Sequence, residues 1–174
     1  MKSRTQVILI IMNILAWIVF IGLIIKAGAI LISYGVSVKN PEASKNLYRG
    51  WDLSRLMQFD FWHYTGVVLM TVIVLLLEAY TAFLVTRILS KIKMAKPFTA
   101  EVAKMMEKIS YTILLAWVAA LMHNMHLRWL SKSIAGLWRN MIPLDFIFLC
   151  GVVFVIAQIF KRGVEIQTEN ELTV

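Results

Sequence analysis

His123, Asn124 and His126 stand together in the run ALMHNMHLRW, residues 120–129, at the end of an otherwise apolar stretch. Imidazole nitrogens can move protons, respond to pH near neutrality or ligate a metal. Residues three apart on a helix share a face, so His123 and His126 would act on the same space. The third histidine, His63, and the charged pair Lys26 and Asp145 also fall within or beside apolar runs. Charged groups removed from water need a partner or a wet cavity. A second polar set, Asn13, Glu78 and Gln158, carries one carboxyl that could be held by internal hydrogen bonds or exchange a proton. A proton path would need a second intramembrane acid at intervening depth, and the sequence provides none. The chain has no H-E-x-x-H, nucleophile elbow or phosphate loop.

The elements that must position these groups follow from composition. Of the 174 residues, 60% are hydrophobic and 16% charged, and the mean hydropathy is +0.75. Soluble domains have about 45–50% apolar and about 25% charged residues. The excess is gathered into four runs, at about 7–36, 61–89, 109–130 and 142–160. Each can span about 30 Å of hydrocarbon, where the backbone must satisfy its own hydrogen bonds as helix. The expected fold is therefore all-α: a single four-helix transmembrane domain over residues 1–174, with a loop at 90–108 and a tail at 161–174. The first run follows Lys2 and Arg4 as in a signal peptide. Its uninterrupted part, Val7 to Ile25, is 19 residues, longer than a signal core of about 7–15, so an uncleaved anchor is predicted. The lone Cys150 sits in an apolar run, forms no internal disulfide and reads as a small hydrophobe.

The net charge of +8 does not point to nucleic acid, because the basic residues flank apolar runs instead of forming a basic face. They orient the chain and meet anionic lipid. With the N-terminus inside, ten basic residues lie inside (Lys2, Arg4, Arg87, Lys91, Lys93, Lys96, Lys104, Lys108, Lys161, Arg162) and seven outside. Both termini are thus expected in the cytoplasm. The first run would overshoot the bilayer, leaving apolar residues 27–36 to be covered. The mixed stretch Leu47 to Met57 is the expected cover, a small extracytoplasmic cap. Pro97, Thr99 and Glu101 read as a helix start, so the third helix begins below the membrane on an amphipathic base of Val102, Met105, Met106 and Ile109.

In this topology Lys26, His63, His123, Asn124, His126 and Asp145 share the outer level, a candidate outward-opening polar pocket. Asn13, Glu78 and Gln158 share an inner level. Three readings stay open for the outer set: a network reaching headgroups and water, a pocket for an extracytoplasmic ligand, or a metal or haem site on His63, His123 and His126. H-x-x-H alone is unspecific, so no metal or cofactor is assigned.

After Lys161 and Arg162, Gly163 should turn the chain into a short tail in which apolar and polar side chains alternate. Gly163, Gln167, Glu169, Leu172 and Thr173, with Ile166 for a usual leucine and Glu171 for a usual aspartate, resemble the ending of a family of small bacterial four-span membrane proteins. Lys96-Pro97-Phe98 before the third helix also fits. The family is known only as domain of unknown function twenty-nine seventy-five. The resemblance implies a bacterial inner-membrane protein, and many members are encoded beside a small helix-turn-helix regulator. Gln167, Glu169, Leu172 and Thr173 are accordingly the candidate partner-docking tail, although the acidic residues could equally return to the basic loop.

The expected function is a non-enzymatic signalling or regulatory component, acting with a cytoplasmic helix-turn-helix regulator, in the bilayer and as a candidate homo-oligomer. The alternatives are a small transport or immunity-type protein and a metal- or haem-dependent membrane redox protein. Reporter fusions after Lys45 and after Ser133 should read outside and one after Ala95 inside; the opposite result at two of these sites would reverse the orientation.

Overall fold

The computed structural model describes residues 4–92, 99–135, 137 and 141–172. Lys96-Pro97-Phe98 and Thr173 lie outside the described residues. Among the described residues five α-helices and one short 3-10 helix follow in the order α1 (Arg4–Lys39), the 3-10 helix (Pro41–Asn46), α2 (Ser54–Phe59), α3 (Phe61–Lys91), α4 (Ala100–Leu130) and α5 (Ile147–Leu172). Helices α1, α3, α4 and α5 are each long and apolar enough to cross a membrane. The fold is all-α, and the chain is a multi-pass membrane protein.

Two compact units divide the chain. The first comprises Met1–Ile21, Glu78–Leu115 and Asp145–Val174. Its core joins Leu84 and Ile88 of α3 to Val102, Ile109 and Ile113 of α4 and Cys150 of α5. These α4 positions recur at helical spacing, as the amphipathic base requires. Thr99 caps α4: its hydroxyl oxygen accepts from the Val102 N–H at 3.3 Å, and its carbonyl accepts from Ala103 at 3.0 Å. Lys91 at the end of α3 pairs with Glu101 in the first turn of α4. The Cys150 thiol donates to the Ser110 carbonyl at 3.2 Å, so the cysteine packs as a buried side chain with a backbone partner.

The second unit comprises Gly22–Leu77 and Ala116–Leu144 and contains the cap. At 36 residues, α1 is about 54 Å long, well beyond the hydrocarbon thickness. Its overhang buries Ala27, Ile30 and Ser37, positions on one face. That face packs with Leu47, Leu53 and Leu56 of the cap and Tyr64 of α3. The buried Ser37 hydroxyl lies 2.6 Å from the Tyr64 hydroxyl and donates to the Tyr34 carbonyl at 2.7 Å. The opposite face of the overhang stays apolar and open, with Ile32 72% exposed.

Local hydrogen bonding explains the shape of the cap. Asn40 caps the 3-10 helix, accepting from the Glu42 N–H at 3.2 Å, and Pro41 begins it. The chain then reverses at Arg49 (φ 48°) and Gly50 (φ 86°), closed by Trp51 N–H to the Tyr48 carbonyl at 3.0 Å. Two successive left-handed residues make a tight reversal, and glycine at the second position adopts it without steric cost. Asn46 fixes the turn by accepting from the Gly50 N–H at 2.7 Å. Asp60 then caps α3, accepting from the His63 N–H at 2.7 Å.

Helix α5 differs from the expected run at both ends. It begins at Ile147 instead of Ile142, because both backbone groups of Ile142 are bound by the Asn124 side chain and Pro143 has no N–H to give. At the other end it continues through Gly163 to Leu172, so the expected turn and extended tail are replaced by helix. A glycine inside a helix costs only about 1 kcal/mol relative to alanine. The Arg162–Glu165 pair at 2.7 Å supports the helix on either side of Gly163.

Leu56 is 0% exposed at the centre of the cap. Leu56→Ala should cost about 2–5 kcal/mol through lost burial and a residual cavity, whereas the exposed Gln58→Ala should stay within about 0.5 kcal/mol. Unfolding midpoints in mild detergent would measure both.

Candidate functional site

The outer set is split between the units. Lys26, His63, His123, Asn124 and His126 belong to the second, and Asp145 belongs to the first, where it is exposed. Lys26 is half-buried on α1. His63 and His126 face each other, with Nδ1 of His63 3.1 Å from Nε2 of His126. Their rings meet edge to face at 5.2 Å, and Trp129 packs against His63 at 5.3 Å and stacks with His126 at 6.4 Å. One ring must donate and the other accept, so this contact requires at least one neutral imidazole. His123, one turn earlier on α4, is 1% exposed. The helical spacing thus places His123 and His126 on neighbouring positions with different exposure. Among the described residues no three His, Cys, Asp or Glu side chains are grouped to hold a metal ion, and the three histidines form no such group.

Asn124 has a structural task. Its amide Nδ2 donates to the Ile142 carbonyl at 2.7 Å, and its Oδ1 accepts from the Ile142 N–H at 2.9 Å. Trp117, two turns earlier on α4, donates from its indole N–H to the Leu144 carbonyl at 3.1 Å. These side chains satisfy the backbone of a segment that has no helical ladder.

The second unit contains a cavity of about 510 Å³ that none of these polar residues lines. It lies in the cap, between the stretch Tyr48–Leu56 and Ile134, Ala135 and Leu137. Arg49, Arg55 and Asp52 supply its charged groups, and Leu53 and Leu56 supply apolar surface. Asp52 accepts from the hydroxyl and the N–H of Ser54, at 2.7 and 2.8 Å. The Ser54 hydroxyl above all, helped by the charges of Arg55 and Lys45, holds this carboxyl below the usual carboxylate range. It is therefore an anion at neutral pH. The guanidinium of Arg49 sits over the Tyr48 ring at 5.5 Å. Sequence reading placed Leu47 to Met57 in a cover and missed its cavity. The available signal was a glycine set among two aromatic and three charged residues.

The inner set lies wholly in the first unit. Asn13 is half-buried, with a buried Oδ1 that accepts no hydrogen bond among the described residues. Glu78 is half-buried on α3. Gln158 is exposed and lines a groove of about 230 Å³ where the base of α4 meets α5. Ala103 and Ala157 let the two helices approach there, and Lys104, Glu107, Lys161 and Glu165 also line it. Of the docking-tail residues, Gln167 is half-buried and Glu169 exposed on α5, and Leu172 ends the helix.

A family model described as protein of unknown function (DUF2975) matches residues 37–174, from the last turn of α1 onward. No curated protein and no solved structure matches the chain.

Removing the amide of Asn124 should expose its structural role. Asn124→Ala leaves both backbone groups of Ile142 without their partner and should cost about 1–3 kcal/mol. Asn124→Asp should not restore this, since a carboxylate cannot donate to the Ile142 carbonyl. Unfolding midpoints and faster amide exchange over residues 141–146 would check both.

Proposed function

We propose that this chain, which belongs to the DUF2975 family, is a non-enzymatic regulatory component of a bacterial inner membrane that presents the α4–α5 groove to a cytoplasmic protein. The observation that carries this reading is the course of α5. Instead of turning at Gly163, it runs on as a charged helix to Leu172, and its residues from Ala157 to Glu165 line a groove with the base of α4. The groove combines small side chains with Lys104 and Lys161 against Glu107 and Glu165. Such a surface suits an apolar side chain of a partner flanked by charges of both signs. The basic residues that flank the runs favour a cytoplasmic position for it and for both termini.

The helix-turn-helix regulator implied by the family resemblance is the partner to test. It would meet a helical face, so recognition would rest on side chains spaced by turns of α5 and not on strand addition. This gives Gln167 and Glu169 a place on a preformed helix whose ordering cost is already met on folding.

Co-expression with the neighbouring helix-turn-helix regulator, followed by purification in mild detergent, tests the reading. The charge exchange Lys161→Glu with Glu165→Lys should reduce co-purification on the order of tenfold, while insertion remains that of the parent and the unfolding midpoint falls only by the small contribution of the exposed Arg162–Glu165 pair. Absence of the regulator from the parent preparation, or its equal recovery with the variant, would defeat the proposal.

A further inference from the structure

We propose that the cap cavity is a binding site for a small organic anion with an apolar body, its charged end held by Arg49 and Arg55. The cavity's volume of about 510 Å³ is within the range of about 300–1,000 Å³ typical of small-molecule sites. Among the described residues two arginines and one aspartate line the cavity, so that charged lining is net positive. Among the described residues neither guanidinium donates a hydrogen bond to the protein, whereas Asp52 already accepts two from Ser54. Both guanidinium groups are thus free to donate, and guanidinium forks match carboxylate and phosphate oxygens.

The remainder of the lining asks for an apolar body. Leu53, Leu56 and Leu137 belong to the buried core of the unit and line the cavity, and Trp51 adds a half-buried aromatic wall. A bare inorganic anion would leave that surface unused. The backbone is also shaped in advance. The left-handed pair Arg49 and Gly50 is closed by Trp51 and tied by Asn46, so the arginine leaves a constrained turn. Preorganisation of this kind lowers the ordering cost of binding. An anionic lipid headgroup and a water-borne organic acid share this chemistry.

The test uses the full chain in neutral phosphatidylcholine nanodiscs, with para-trifluoromethylbenzoate as the probe followed by fluorine NMR. Saturable binding is expected, and the neutral para-trifluoromethylbenzamide should show none. The double variant Arg49→Gln with Arg55→Gln should weaken binding on the order of tenfold or more, with the unfolding midpoint unchanged because both side chains are exposed. Asp52→Asn removes the opposing charge and should tighten binding. Unsaturable benzoate, equal binding by the amide, equal binding by the double variant, or weaker binding by Asp52→Asn would each overturn the site. Displacement of the probe when phosphatidylglycerol replaces part of the neutral lipid would assign the natural occupant to a headgroup. Undiminished binding would assign it to a water-borne anion. The charge exchange at Lys161 and Glu165 should leave the probe's affinity unchanged, so this site and the groove reading can fail independently.

Discussion

Backbone amides and carbonyls in hydrocarbon have no water to bind, and each one left without a partner costs several kcal/mol (on the order of 2–7). Most of the chain answers this by being helix. The informative places are those where the helix stops. At several, a polar side chain takes over bonds that the ladder no longer provides: Thr99 before α4, Asp60 before α3, Asn40 before the 3-10 helix and Asn46 at the turn. Asn124 does the most, because one amide matches both the donor and the acceptor of Ile142. Without Asn124 the entry to α5 would lose the partner of both backbone groups of Ile142, whereas the exposed turns of the cap could still bond to water.

That constraint also decides what could be read directly from the residues. Long apolar runs can only be helices in a bilayer, so the four spanning helices and the all-α class follow from composition. The start of α4 was legible because Thr99, a short polar side chain, stands just before a run at helical spacing. The overhang of α1 was legible from arithmetic, since thirty apolar residues exceed the hydrocarbon thickness. The two ends of α5 were not. An apolar stretch from Ile142 looks helical until a side chain eighteen positions earlier claims its backbone, a non-local event without a local signature. Gly163 looks like a stop, yet its cost is small beside a helix that has charged i, i+3 partners on both sides.

The candidate sites show the same contrast between residue type and placement. Histidines drew attention because of what imidazole can do. The structure puts His63 and His126 against each other and Trp129, and encloses His123. Chemistry-bearing side chains can therefore be used for packing. The cap cavity arises instead from ordinary charged and aromatic residues that become a site only when a tight turn gathers them. Turn geometry of this sort leaves a weaker trace in a sequence than a pair of histidines does.

The division into units bears on biogenesis. Every segment of the second unit has been synthesised by Leu144, thirty residues before the end of the chain. The first unit draws on both chain ends and remains incomplete until α5 has emerged. Nascent chains acquire structure as their segments emerge, so every segment of the second unit, the cap included, is available before α5. A chain interrupted after Leu144 would hold every segment of the second unit and leave the first without its last helix.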